Sequence, residues 1–158
     1  MKRIFTSPVL ALLFRLILGV TFLYSGIVKA ADPVGFAQSI ANYLILPDVM
    51  VNVSAILLPW IEIVAGGSLL LGVLTRGGAL VSSVLLGIFT CALLISLIRG
   101  LDVACGCFST SVEAGSITEL YILRDIVFLG MGVHVLFYEN GLASFRWLLQ
   151  KIRTQPDP

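Results

Sequence analysis

Apolar residues gather into four long stretches, at about 8–30, 51–74, 77–98 and 119–138. At 1.5 Å rise per residue each predicts a helix able to cross about 30 Å of hydrocarbon. No segment alternates over about ten residues as a membrane barrel strand does. The turn Leu74-Thr75-Arg76-Gly77-Gly78 is so short that the second and third helices form an antiparallel hairpin. Asp32-Pro33 reads as a cap and first-turn pair. After it, Phe36, Ile40, Tyr43 and Leu44 recur at helical spacing and predict a short amphipathic helix on the membrane surface, running until Pro47. Ser116-Ile117-Thr118-Glu119 has capping-box spacing and starts the fourth helix. In the tail at 139–158, Phe145, Trp147, Leu148 and Leu149 stand among basic residues and predict an interfacial helix, with a frayed end from Thr154. The expected fold is all-α: one domain, 1–158, forming an integral membrane four-helix bundle with short interfacial helices.

Composition narrows the class further. Of 158 residues, 58% are hydrophobic and only 12% charged, about half the charge of an ordinary soluble domain. A small soluble fold of this length leaves much of its chain near the surface, and there is too little polar side chain to cover it. Ten Lys and Arg against nine Asp and Glu give +1, with no basic patch for a nucleic acid. Membrane lipid is the expected surrounding. The first stretch also begins like a signal peptide, with Lys2 and Arg3 ahead of it and Val28-Lys29-Ala30 as a cleavage-like site. Its apolar region exceeds the usual 7–15 residues, so a retained helix is expected. Lys2, Arg3, Arg76, Arg146, Lys151 and Arg153 fall on one side, which the positive-inside rule makes cytoplasmic. Both termini are then cytoplasmic. The longer loops, with Asp32, Asp48, Asp102, Glu113 and Glu119, lie outside, and Lys29 and Arg99 stand at the outer helix ends.

The outer loop after the third helix contains Cys105-Gly106-Cys107-Phe108. Outside the cytoplasm a disulfide persists, and glycine permits the tight backbone that a Cys-Gly-Cys ring needs. Such a ring is cramped and readily reduced, which suits a pair in which one thiolate attacks and the other resolves. As a staple it is weak, because closing three residues removes little unfolded-state entropy. An inert structural loop and a metal site with Cys91 are the alternatives, the latter short of a fourth ligand because the single histidine, His134, lies toward the other membrane face. Cys91, about seven residues inside the third helix, reads as a small apolar side chain in a helix interface or as a third exchange partner.

Charges inside a span are costly and mark packing or function. Arg15, Gly19, Phe22, Gly26 and Lys29 share one face of the first helix, and the glycines permit close approach. Arg15 either faces the bundle or snorkels to the inner edge. Glu62, near the middle of the second helix, must be paired or protonated, and Arg15 and Arg124 are the expected partners. Arg124 and Asp125 point about 100° apart, one toward the core and one toward a neighbouring helix. The group is either an ion network fixing helix packing or a polar pocket beneath the thiols that stabilises a thiolate or passes its proton, and Trp60 and Phe108 either line such a pocket or anchor the helices at the membrane interface.

The pattern from Arg15 to Lys29, R-x3-G-x2-F-x3-G-x2-K, resembles the opening signature of DoxX-like membrane proteins, as does the Glu62 helix running into Gly72-Val73-Leu74-Thr75-Arg76. Cys105-Gly106-Cys107-Phe108 followed by Arg124-Asp125 resembles the MauE branch, the methylamine-utilisation membrane proteins, over about residues 10–138. Ser109 departs from the glycine common there. The resemblance implies a four-helix protein of the bacterial inner membrane that supports disulfide formation or maturation of exported proteins, notably the small subunit of methylamine dehydrogenase. It makes Cys105 and Cys107 the redox pair, with Glu62, Arg15 and Arg124 as the intramembrane polar set. The bundle is also similar to quinone-linked enzymes of the vitamin K epoxide reductase type, which would add a quinone cofactor, although one close pair plus Cys91 leaves such a relay short of a thiol.

The expected function is thiol-disulfide exchange at the outer face, a possible oxidoreductase activity, with an extracytoplasmic redox or substrate protein as partner. Catalysis is expected at Cys105 and Cys107, with Arg15, Lys29, Glu62, Cys91, Arg124 and Asp125 in support and no metal. Two alternatives stand. One is a small-molecule carrier using Arg15, Glu62 and Arg124, which calls for a homodimer to enclose a path. The other is a non-catalytic subunit whose glycine-bearing faces dock other membrane helices.

Overall fold

The computed structural model describes residues 8–100 and 119–138. Among these every regular element is a helix: α1 Pro8–Ala31, α2 Pro33–Ala41, α3 Asp48–Leu71, α4 Thr75–Ile98 and α5 Glu119–Tyr138. Three of them are long and apolar enough to cross a membrane: Leu10–Ala31 within α1, together with α3 and α4. Many large apolar side chains point outward along them, including Val20, Val64, Ile88 and Ile98. An outward surface of that kind belongs against lipid.

Helix boundaries follow local chemistry. Asp32 caps α2 as expected: its Oδ1 accepts the Gly35 N–H at 2.9 Å, with Pro33 opening the first turn. The helix stops at Ala41, short of the expected Pro47, with Asn42 as its C-cap, and Leu44 then takes a left-handed φ of 50°. Tyr43 still buries its ring, but Leu44 is turned outward. The expected second helix begins and ends earlier than the apolar run. Met50 and Val51 donate to the Pro47 carbonyl at its start, and Gly72, at φ 68°, closes it by donating to Ser68 O. A left-handed residue at that position favours glycine. The hairpin turn is therefore Gly72-Val73-Leu74, and α4 starts at Thr75.

The first two long helices set the register of everything else. A Cβ at Gly19 would meet Leu70 and the Gly66 carbonyl, and one at Gly26 would meet the Pro59 carbonyl at 2.8 Å. A Cβ at Gly66 would strike Leu23 N at 2.6 Å. Rising numbers on α1 thus meet falling numbers on α3, an antiparallel pair with backbones in close approach. Contacts also join α3 to α4, α4 to α5 and α5 to α1. Between them lies a core of Leu18, Phe22, Leu69, Ala79, Leu85, Leu86 and Val135. A second cluster, Phe36, Ile40, Val51 and Ala55, fastens α2 across the first turns of α3. α2 therefore also packs over the end of α1.

Candidate functional site: a buried charge cluster

The expected face of α1 is borne out: Arg15, Gly19, Phe22, Gly26 and Lys29 are all buried. Its consequences differ from expectation. Glu62 is 2% exposed and pairs with Lys29, whose Nζ lies 2.6 Å from Glu62 Oε1. Ser25 donates to the other carboxylate oxygen, Oε2, at 3.1 Å. The partners expected for Glu62, Arg15 and Arg124, are not the ones it has. Arg15 stands fourteen residues before Lys29, about 21 Å along the helix, so it belongs to another level. There it is 1% exposed, within the packing and not snorkelled outward.

Lys29 stays inside because its surroundings satisfy it. Its ammonium lies 4.9 Å from the Phe36 ring centroid and 4.7 Å from that of Phe89. Two aromatic faces and a carboxylate replace its water shell, each face contributing about 0.5–2 kcal/mol once desolvated. Phe36 comes from α2 and Phe89 from α4, so α2 acts as the cover that closes the lysine in.

Arg124 and Asp125 do not diverge as their adjacent positions suggest. The arginine side chain folds back, with Nε 3.1 Å and NH2 2.9 Å from Asp125 Oδ1. Asp125 is 1% exposed, while Arg124 keeps a quarter of its side chain accessible. Both carboxylates, both cations and the Ser25 hydroxyl line one cavity of about 30 Å³, walled by Phe22, Leu86, Phe89 and Phe128. Such a volume takes one or two water molecules and does not fit a quinone ring.

Sequence reasoning singled out Lys29, Glu62, Arg124 and Asp125 but not their pairing, and it missed Ser25, Phe36 and Phe89. One signal was present. The seven-residue spacing of Gly19 and Gly26 matches that of Pro59 and Gly66, and pairing these positions in antiparallel register sets Glu62 opposite Leu23, within a turn of Ser25 and within reach of the long Lys29 side chain. Of the two readings of Trp60, the pocket one fails: it is 61% exposed on the lipid-facing side of α3 and does not line the cavity. One other expectation is corrected. Cys91 is a free, exposed cysteine, turned outward and not into a helix interface. At the far end of the helices, His134 stacks on Tyr138 at 4.8 Å and meets Phe14 edge-on at 5.2 Å. Cys105, Cys107, Phe108, the Ser116 capping box and the tail helix lie outside the described residues.

Long apolar helices that turn lipid-compatible side chains outward and paired charges inward define a multi-pass membrane protein with an internal polar site. Residues 7–138 match the family model of the methylamine utilisation protein MauE, and the chain belongs to that family. It is 28% identical over 136 residues to the methylamine utilization protein MauE of Methylophilus methylotrophus, covering 85% of this chain and 72% of that one. To the protein of the same name from Paracoccus denitrificans it is 26% identical over 130 residues, covering 82% and 69%. The wider DoxX-like grouping does not figure in these matches. No solved structure matches the chain.

Proposed function

We propose that this chain is a four-span inner-membrane protein that exchanges dithiol and disulfide with an extracytoplasmic protein through Cys105 and Cys107, both termini being cytoplasmic. The observation that carries this reading is where the charge cluster sits relative to the loop that bears the thiols. Residues 99–118 join the end of α4 to the start of α5. Arg124 and Asp125 follow Glu119 by five and six residues, about 8–9 Å along α5. Phe89, against Lys29, precedes Ile98 by nine residues, about 14 Å. Arg99 reaches across this end of the molecule to donate to Leu44 O at 3.4 Å. A rigid polar group thus stands within two to three helical turns of both anchors of the Cys-Gly-Cys loop.

In the exchange, one thiolate attacks a sulfur of the partner's disulfide and expels the partner's other sulfur as thiolate. The second cysteine then attacks its neighbour in the mixed disulfide, which frees the partner as a dithiol and leaves the Cys105–Cys107 ring. Run backward, the ring oxidises a partner dithiol. Either way two electrons move, and a separate protein returns the pair to its starting state. The relatives' names tie them to methylamine utilisation. For this chain the corresponding role is maturation of an exported protein, with the fourth span supplied by α5. A cavity of about 30 Å³ lends little support to a carrier for molecules larger than water.

Trapping tests the reading. With Cys107→Ser or Cys105→Ser, the remaining thiol captures an extracytoplasmic protein as a mixed disulfide, seen as a reductant-sensitive adduct. Absence of an adduct in both single variants contradicts exchange.

A further inference from the structure

Asp125 Oδ1 accepts twice from Arg124, but Oδ2 has no hydrogen-bond partner among the described residues although the side chain is 1% exposed. A buried carboxylate oxygen is seldom left unserved. This one belongs to a residue that lines the cavity between the two ion pairs. On the same wall Glu62 has both oxygens engaged, Oε1 by Lys29 and Oε2 by Ser25. The missing partner at Asp125 is therefore a donor, and it must be small enough for the cavity that Asp125 shares with Ser25, Glu62 and Lys29. About 30 Å³ exceeds the 10–15 Å³ that a water needs.

We propose that this cavity is a hydrated proton site, in which one or two water molecules donate to Asp125 Oδ2 and connect it to the Ser25–Glu62–Lys29 group. Charge favours such a role. Lys29 comes from α1, Glu62 from α3, Arg124 and Asp125 from α5, while α4 contributes only the apolar Leu86 and Phe89. The four charges sum to zero, so one added proton changes the site by one unit and is held by either carboxylate. Transfer is a relay: the water receives a proton from the Asp125 carboxyl as it gives one to Glu62, and net one proton moves with no other atom displaced. Nothing in this depends on the thiols.

Infrared difference spectra of the full chain in lipid nanodiscs, taken between two pH values in ordinary and in 18O water, test the proposal. Internal-water O–H bands that shift with 18O are expected. Asp125→Asn should move them, and Leu86→Phe, which fills the cavity, should abolish them. Circular dichroism and monodispersity identify the folded variants, and Asp125→Asn, nearly unchanged in shape, serves if Leu86→Phe does not fold. In the carboxyl region, Glu62→Gln should displace the band assigned by Asp125→Asn, and the reverse, because both carboxylates line the one hydrated cavity. Water bands untouched by either cavity variant show a dry cavity and overturn the proposal. Carboxyl bands that vanish one by one without moving each other overturn the shared proton.

Discussion

Replacing Lys29 by methionine isolates the contact on which the charge cluster depends. The wild-type ammonium is 2.6 Å from Glu62 Oε1, and both side chains are 2% exposed. Without it the carboxylate keeps only the Ser25 hydroxyl at 3.1 Å. Removing one partner of a buried pair costs about 3–5 kcal/mol, because the surviving charge is left uncompensated. That corresponds to a loss of roughly 10²- to 10³-fold or more in the folding equilibrium, at about 1.4 kcal/mol per factor of ten. Glu62→Gln should cost less, about 1–3 kcal/mol, because Lys29 keeps the Phe36 and Phe89 faces and gains an amide carbonyl. Removing both charges, in Lys29→Met with Glu62→Leu, should recover most of the loss, since apolar replacements of a buried pair are often neutral or better. Ser25 then has a route already used here by Ser39, Ser83 and Thr90, whose hydroxyls bond the carbonyl four residues back. Unfolding of the four proteins from lipid-detergent micelles by titrated dodecyl sulfate, followed by circular dichroism, gives the cycle directly. Additive single losses, or a cost under about 1 kcal/mol for Lys29→Met, show that the pair behaves like an exposed one and refute the buried contact.

Other outcomes follow from the same packing. Gly66→Ala should destabilise by about 1–3 kcal/mol, because the new methyl strikes backbone atoms of Leu23 and Gly19. Gly67→Ala, one residue on with nothing within 4 Å, should be neutral or gain up to about 1 kcal/mol in helix propensity, and the same micelle unfolding compares them. Phe36→Ala should lose about 3–5 kcal/mol for a buried aromatic and open Lys29 to amine-reactive reagents, read by mass spectrometry as modification absent in wild type. Cys91→Ala, at an exposed position, should leave both stability and the oxidation state of the Cys105 and Cys107 pair unchanged in alkylation gel shifts.

Much of the architecture was legible in the apolar runs, because a helix that must satisfy its own backbone in lipid leaves a long and unbroken signal. The buried face of α1 was legible too, since polar and small residues stood out against leucine and valine. The pairing of Glu62 was not. A charge at a helix end reads as facing the loop, and nothing local announces that Phe36, seven residues on in another helix, folds over Lys29 and shuts it in. Arg124 and Asp125 show the same limit: helical geometry separates their backbones by about 100°, yet the arginine is long enough to turn back. Cys91 was misplaced, and Trp60 left open between two readings, for a different reason. A membrane helix is apolar on its packed and lipid faces alike, so periodicity does not say which way such a residue points. The early stop of α2 falls at its C-cap Asn42 and is followed by a left-handed Leu44, a conformation that a leucine does not announce.

The oxidation state of Cys105 and Cys107 in native membranes, read by differential alkylation in a Cys91→Ala background, bears most directly on the proposed exchange. The pair should be found as interconverting dithiol and disulfide, and after reduction and removal of the reductant it should regain the disulfide. The double Cys105→Ser, Cys107→Ser variant should lose function in cells. Two thiols that stay reduced and alkylatable throughout, together with full function of the double serine variant, would contradict thiol-disulfide exchange.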